Sequence, residues 1–275
     1  MMETEPINAG RLARALTLLV VWIKTNQYFR CLWKSQTGLL SVSGLCIKVK
    51  PYANPAEAHT MQFIARRTSI PVPKVHCAFV HQSATYIVMS KIDGQMAWLH
   101  WKGRSEASQR RILDQLHSMV SQLRAIAPTE GIGIANVDGG PIYDCRLPSK
   151  SFWGPFATVR DFHTELVNGA NLEVRYENQP PDLDELFDFY RQANNKTVLT
   201  HGDLSSFNVL KRGDEVVGIV DWETAGWMPS YWEYTSAWFV NPQNPFWQQE
   251  VDKFLSPMPY ELRMENIRRR YFSAT

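Results

Sequence analysis

Asp203, Asn208 and Asp221 lie in the stretch "THGDLSSFNVLKRGDEVVGIVDWE", five and then thirteen residues apart, between two aliphatic runs. A fold needs the aliphatics, but it has no need of two carboxylates and a carboxamide at these intervals. A loop leaving the "TVLT" strand can turn Asp203 into a cleft while the following residues bring Asn208 to the same side. The next hairpin strand, "GIVD", returns Asp221 there. Phosphoryl transfer from ATP requires such a set: a carboxylate that positions and deprotonates the accepting hydroxyl, and oxygen ligands that hold magnesium on the phosphates. Magnesium is hard and takes carboxylate and amide oxygens in preference to His or Cys. A capped turn, with Asp and Asn chosen for local backbone bonds, accounts for any one of these residues. It does not account for all three between two strands.

The elements that must position this set can be read from periodicity. "GLCIKVK" alternates, with Leu45, Ile47 and Val49 on one face and Cys46, Lys48 and Lys50 on the other, which predicts a strand. "PAEAHTMQFIARRT" places Ala58, Met61, Phe63 and Ile64 on one helical stripe, with Pro55 near its start. "IPVPKV" breaks that helix. "HCAFVHQSATYIVMSKI" reads as two short strands around a polar turn at 81–85, and Asp93-Gly94 is a further turn. A small mixed lobe therefore ends near Ile92.

Beyond it, Ser105 can cap a helix carrying Ile112, Leu116, Met119, Leu123 and Ile126, which Pro128 and Gly131 stop. Residues 129–156 are rich in Gly and Pro and predict a long surface excursion. Helices are expected over 159–168 and 183–193, and again from Phe246. At the other end, residues 11–35 read as helix. Its apolar stretch "ALTLLVVWI" is too short to span a bilayer and predicts a buried amphipathic helix. Strands with one helix first, then mostly helices, give a two-lobed α+β plan.

Composition narrows the function classes. With 275 residues, 44% hydrophobic and 20% charged, the chain is an ordinary globular protein of one large domain or two lobes. The 29 basic and 27 acidic residues leave a net charge of +2, which points to neither a nucleic-acid nor a membrane surface. Cys31, Cys46, Cys77 and Cys145 lie far apart, with no Cys-x-x-Cys pair and no His at metal spacing. That argues against a zinc site or a disulfide framework and for a reducing, cytoplasmic setting.

"HGDLSSFN" followed by "IVDWE" resembles the motif pair of the aminoglycoside phosphotransferase/choline kinase family. Through "FIARRTSIPVPKV", "GDEVVGIVDWETAGW" and "YWEYTSAW" the similarity is closer to that family's large fungal branch, and it covers about residues 44–272. The resemblance implies a protein-kinase-like α+β fold with a small N-terminal β-rich lobe and a larger, mostly helical C-terminal lobe. It implies a nucleotide-binding lobe over 1–92, atypical in 1–40, and a catalytic and substrate lobe over 93–275. Asp203 corresponds to the catalytic base, Asn208 to a magnesium ligand, and Asp221 to the metal ligand standing where protein kinases have the Asp of Asp-Phe-Gly. His201 corresponds to an orienter of the catalytic loop. Glu233 falls where relatives carry an Asp that steadies that loop. Lys48 resembles the lysine that meets the α/β-phosphates, with Lys50 its rival on the same face, and Glu57 resembles its ion-pair partner. Adenine is expected against "YIVMSKI", by backbone bonds near Ser90 and Ile92, with Met89 at its edge. The implied cofactors are ATP and Mg2+, and the implied partner is a small molecule that accepts at a hydroxyl.

The chain departs from the family in two respects. "QTGLLSVSGLCIKVK" holds only Gly38 and Gly44, with no closely spaced glycines to cover phosphates, which leaves Ser41 and Ser43 to donate hydroxyls. The first forty residues also read as helical where the family has a strand pair. Two functions stay open on this ground: a phosphotransferase, or a weak or inactive relative that serves as a nucleotide-binding or scaffold module. "WETAGW" in place of Asp-Phe-Gly, with no Ala-Pro-Glu after it, argues against a protein kinase. Trp222, Trp227, Trp232, Trp238 and Trp247 fall within 26 residues and suit either an aromatic cage for an amine or, more economically, the core. Asp182, Asp184, Glu185 and Asp188 are either a lure for an amine substrate or the wet face of a helix, the more ordinary reading.

Overall fold

The structure is a computed structural model that describes residues 5–26, 28, 39–128, 131–144, 146–147, 150–240 and 245–272. The N-terminal helix expected over 11–35 ends at Thr25, with Asn26 extended; residues 29–35 of that expectation, Gly38, Cys31 and Cys145 lie outside the described residues.

Four strands build the small lobe: β1 (Leu39–Val42), β2 (Leu45–Lys50), β3 (Val75–His81) and β4 (Ala84–Ser90). They form one antiparallel sheet in the order β1-β2-β4-β3. The β1–β2 connection is a two-residue turn in which Ser43 and Gly44 both have positive φ (43° and 80°), the backbone that matches the twist of a tight hairpin. So the family's strand pair is present, beginning at Leu39. Helix α2 (Ala56–Arg67) buries Ala58, Met61 and Ile64 as its periodicity predicted.

Helix α1 (Arg11–Thr25) corrects an expectation. Ile7, just before it, pairs with Ala78 at the edge of β3, but the helix itself is not buried. Leu12, Leu16, Leu19 and Trp22 are 50% to 73% exposed, and Thr17 is its buried residue. A short apolar stretch suggests a helix of the core, but it does not supply a partner for the apolar face. Here Arg14, not a leucine, meets the sheet, with its guanidinium 5.1 Å from the Phe79 ring centroid.

In the second lobe, α3 (Glu106–Ala125) is capped by Ser105, whose hydroxyl accepts from the Ser108 amide at 3.3 Å. The described residues of 129–156 do not form the expected surface excursion. Ile134, Ala135, Ile142, Leu147 and Trp153 are buried, and β6 (Ile142–Tyr143) pairs with β7 (Phe152–Trp153) in a short hairpin. Then come α4 (Val159–Leu166), α5 (Pro181–Arg191), β8 (Thr197–Thr200), β9 (Val209–Arg212), β10 (Glu215–Ile219) and β11 (Gly226–Pro229). Helices α6 (Trp232–Phe239), α7 (Gln248–Phe254) and α8 (Pro259–Phe272) complete the lobe. Strand β9 pairs with β10 and with β5 (Gln95–Met96), and β8 pairs with β11.

One apolar cluster joins Met61, Ile64 and Ile87 of the small lobe to Ile112, Leu116, Leu204, Val209 and Ile219. A second gathers Phe162, Leu166, Leu186, Tyr190 and Trp232 under α4, α5 and α8. Trp222, Trp227, Trp232 and Trp247 are buried in these clusters, so they serve packing and form no cage. The four carboxylates of α5 pair with arginines: Asp182 with Arg270, Asp184 with Arg175, Glu185 with Arg263 and Asp188 with Arg191. They are the outer face of a helix. Among the described residues no helix is long and apolar enough to cross a membrane.

Candidate active site

The loop after β8 is held from behind. Glu233, 1% exposed in the first turn of α6, accepts the amides of His201 at 2.6 Å and Gly202 at 3.1 Å. A glutamate thus reaches the loop that the sequence comparison matched to a shorter aspartate. Thr224 adds a hydroxyl bond to the His201 carbonyl at 2.9 Å. Gly202 has φ +79°, and a Cβ there would sit 2.8 Å from the Thr224 carbonyl oxygen, so glycine is required on both counts. The His201 ring is fully buried. Its Nδ1 accepts the Asp203 amide at 3.1 Å, and its Nε2 donates to the Val220 carbonyl at 3.1 Å. Burial first, and the nearby Arg146 and Lys48 after it, lower its pKa to about 4, outweighing the bond to Val220. A neutral imidazole tying the loop to the end of β10 fits the orienter role and no acid or base role.

Asp203 and Asn208 are in direct contact. Asn208 Nδ2 donates to the Asp203 backbone carbonyl at 2.8 Å and to its Oδ2 at 2.9 Å, which makes Asn208 Oδ1 the atom left to accept or ligate. The β9–β10 hairpin then brings the second carboxylate alongside, since the Val220 amide donates to the Asn208 carbonyl at 2.9 Å. Asp221 itself is left-handed, at φ 66°. A non-glycine residue in that region is a strained position of the kind that clusters at working sites.

Lys48 reaches across to it. Its Nζ lies 2.6 Å from Asp221 Oδ1, 2.9 Å from Glu57 Oε1 and 3.2 Å from Glu223 Oε2. Lys50, the rival, is also engaged, at 2.8 Å from Glu57 Oε2 and 3.0 Å from Glu223 Oε2. Only Lys48 touches Asp221 among the described residues. Burial alone would lower the Lys48 pKa, but Glu57, Asp221 and Glu223 outweigh it and raise it, so the ammonium is retained. Burial raises the Asp203 pKa to about 7, with Arg146 opposing. Burial also raises Asp221, against the pull of Lys48. For Glu223 burial acts upward too, but Lys50 and Lys48 win and its pKa is lowered.

The segment expected to meet adenine is partly committed. The Ser90 amide donates to the Lys74 carbonyl at 2.9 Å and the Lys91 amide to the Gly44 carbonyl at 2.8 Å. The Ile92 amide makes no hydrogen bond among the described residues. Met89 is 8% exposed in β4. Ile92 lies over Gly218, where a Cβ would come within 2.5 Å of its Cδ1. The β10 backbone is irregular just there, between Val216 and Gly218.

Sequence reasoning missed two participants. Glu223 follows Asp221 by two residues, and that Asp-x-Glu spacing was the available signal. Arg146 had no signal of its own, as a single arginine in an aperiodic stretch. Its Nη1 lies 3.3 Å from Asp203 Oδ1. A hard divalent cation fits the donor chemistry, because Asn208 offers an amide oxygen and the carboxylates of Glu57, Asp221 and Glu223 converge within 4.8 Å of one another.

A lysine on a small antiparallel sheet facing two carboxylates and a carboxamide of a helical lobe defines a kinase-like fold. The model of the phosphotransferase enzyme family (APH) matches residues 48–264, and the chain belongs to that family. Among solved structures, aminoglycoside phosphotransferase APH(4)-Ia in a thermostable apo form is similar at a TM-score of 0.58 and 19% identity, over 85% of this chain and 78% of that one. Its ternary complex with ADP and hygromycin B gives 0.58 and 17%, over 88% of each chain. The spectinomycin phosphotransferase APH(9)-Ia, in complex with ADP and spectinomycin, gives 0.51 and 14%, over 86% and 78%. No curated protein matches.

Proposed function

We propose that the chain is an ATP- and Mg2+-dependent phosphotransferase that moves the γ-phosphoryl group to a hydroxyl of a small molecule. The observation that carries this reading is the unbroken series of contacts from Glu57 through Lys48 to Asp221, and from Val220 through Asn208 to Asp203. Asp203 acts as base on the acceptor hydroxyl. Its pKa near 7 suits a group that must take a proton at neutral pH. Asn208 Oδ1 and Asp221 would hold Mg2+, which when bound neutralises charge on the phosphates. Lys48 would turn from Asp221 and Glu223 to phosphate oxygens while Glu57 keeps it in reach. Ile92 offers its amide to adenine, at the boundary between a nucleotide lobe ending near residue 92 and a catalytic lobe beyond it.

The neighbours that hold ADP with hygromycin B or spectinomycin support a small-molecule acceptor without naming the one used here. The α5 carboxylates, already paired with arginines, favour the outer face of a helix over a lure for an amine substrate. The free buried thiols of Cys46 and Cys77 accord with a reducing cytoplasm.

The test is ATP consumption with Mg2+ across a library of metabolite alcohols. Asp203→Ala is expected to lower turnover by about 10²- to 10⁴-fold, the usual worth of a general base, while affinity for Mg·AMP-PNP stays within twofold. Turnover that survives the substitution rejects the assignment. The tight Ser43-Gly44 turn, with no glycine-rich cover, favours a second reading as a nucleotide-binding module. Mg·AMP-PNP binding with no ATP consumption by any library member would select it.

A further inference from the structure

We propose that Arg146 is a positioning residue for Asp203, fixing the carboxylate at the angle from which it takes the acceptor's proton. The inference rests on the phosphotransferase reading above. Among the described residues the guanidinium serves three partners, Asp144, Gly202 and Asp203. Its Nε and Nη2 grip the two oxygens of Asp144, each at 2.8 Å. Nη2 also donates to the Gly202 carbonyl at 2.6 Å, and Nη1 lies 3.3 Å from Asp203 Oδ1. A carboxylate held at one oxygen can pivot about its Cβ–Cγ bond. Asp203 is held at both, with Asn208 Nδ2 on Oδ2 at 2.9 Å and Arg146 on Oδ1. The Gly202 contact fixes the backbone one residue earlier, on the side opposite the Glu233 clamp of its amide.

The arginine is itself moored. Asp144 is 5% exposed, and its amide donates to the Ser151 carbonyl at 2.9 Å across the β6–β7 hairpin. Tyr143 stacks on Tyr52 at 4.8 Å, and Phe152 meets the same ring edge-on at 5.0 Å. Tyr52 follows β2, the strand that carries Lys48, by two residues. The hairpin thus spans from the end of the lysine strand to the base. A lysine at 146 could satisfy one of the three acceptors but has no planar fork with which to hold them together.

The test uses the full chain with Arg146→Met and Arg146→Lys. Melting temperature, Mg·AMP-PNP affinity, ATP turnover with water as acceptor, and deuterium exchange over 201–208 are compared with wild type. Arg146→Met is expected to cut turnover by about tenfold to a hundredfold, the cost of a misplaced reacting group, with affinity within twofold and faster exchange over 201–208. Arg146→Lys should recover part of the turnover. Turnover within twofold of wild type in Arg146→Met overturns the inference. So does a fall of affinity and melting temperature in step with turnover, which marks a merely structural residue. If the wild type consumes no ATP with water or with any alcohol of the library, the phosphotransferase reading fails on its own. Exchange over 201–208 then decides the positioning role, and unchanged protection in Arg146→Met refutes it.

Discussion

Lys48 meets three carboxylates with one ammonium, and that crowding sets what its removal should do. Lys48→Met takes away the one described cation that touches Asp221, while Lys50 still serves Glu57 and Glu223. Affinity for Mg·AMP-PNP should fall about tenfold to a hundredfold, the worth of one or two charge-assisted hydrogen bonds, in a calorimetric titration. Lys50→Met should disturb the protein's stability more than its nucleotide affinity, which separates the two lysines that alternation put on one face. At this scale the sequence was legible wherever a polar group stood where the fold asked for none: Asp203, Asn208 and Asp221. Arg146 was illegible because its partners, Gly202 and Asp203, are more than fifty residues away and its neighbours carry no period.

Among the elements, the β9–β10 hairpin does most to assemble the site, since it carries Asn208 at one end and Asp221 just past the other. Its irregular point, Gly218, is also the floor under Ile92. Gly218→Ala leaves Ile92 no room in its present rotamer, and overpacking of this kind costs about 1–3 kcal/mol. Urea unfolding should register that loss. On the proposed function a weaker grip on AMP-PNP should accompany it, because the side chain that has to move belongs to the residue proposed to offer its amide to adenine. Strands β2 to β4 and helices α2 and α3 were readable because each is long enough to show its period. Hairpin β6–β7 has two residues a side, too few to alternate, and it is recognised only by what it packs against. Helix α1 failed for another reason: an apolar stretch of core length marked a helix, but length says nothing of a partner, and Leu12, Leu16, Leu19 and Trp22 stay exposed.

Across the molecule, the second apolar cluster contains a titratable group that the site does not use. His163 is fully buried, stacked on Tyr190 at 4.1 Å and joined to the Tyr231 hydroxyl at 2.8 Å. Burial lowers its pKa to about 3, against a usual value of 6.5. The unfolded chain therefore binds a proton between these values that the folded chain refuses. The stability involved is fully present above pH 6.5 and drains away as pH falls toward 3, by about 1.4 kcal/mol per pH unit. His201, lowered to about 4, acts in the same sense, whereas Asp203, raised to about 7, acts in the opposite one. Comparison with His163→Gln isolates the contribution of His163. The stability difference between the two proteins should shift against wild type by about 2 kcal/mol between pH 6.5 and pH 5, measured by urea unfolding. The two-lobed plan was legible as a whole, because strands precede helices along the chain. How the lobes meet was not, since contacts such as Lys48 to Asp221 join residues that no local pattern relates.

That same contact has a consequence for the resting molecule. An ammonium parked 2.6 Å from the carboxylate gives Asp221 a built-in counter-ion. The cluster still keeps a formal negative charge, because two ammoniums, Lys48 and Lys50, are shared among three carboxylates, Glu57, Asp221 and Glu223. Divalent cation and triphosphate then have reason to enter together. On the proposed function the phosphates would draw the lysine off its perch and leave the aspartate free to ligate.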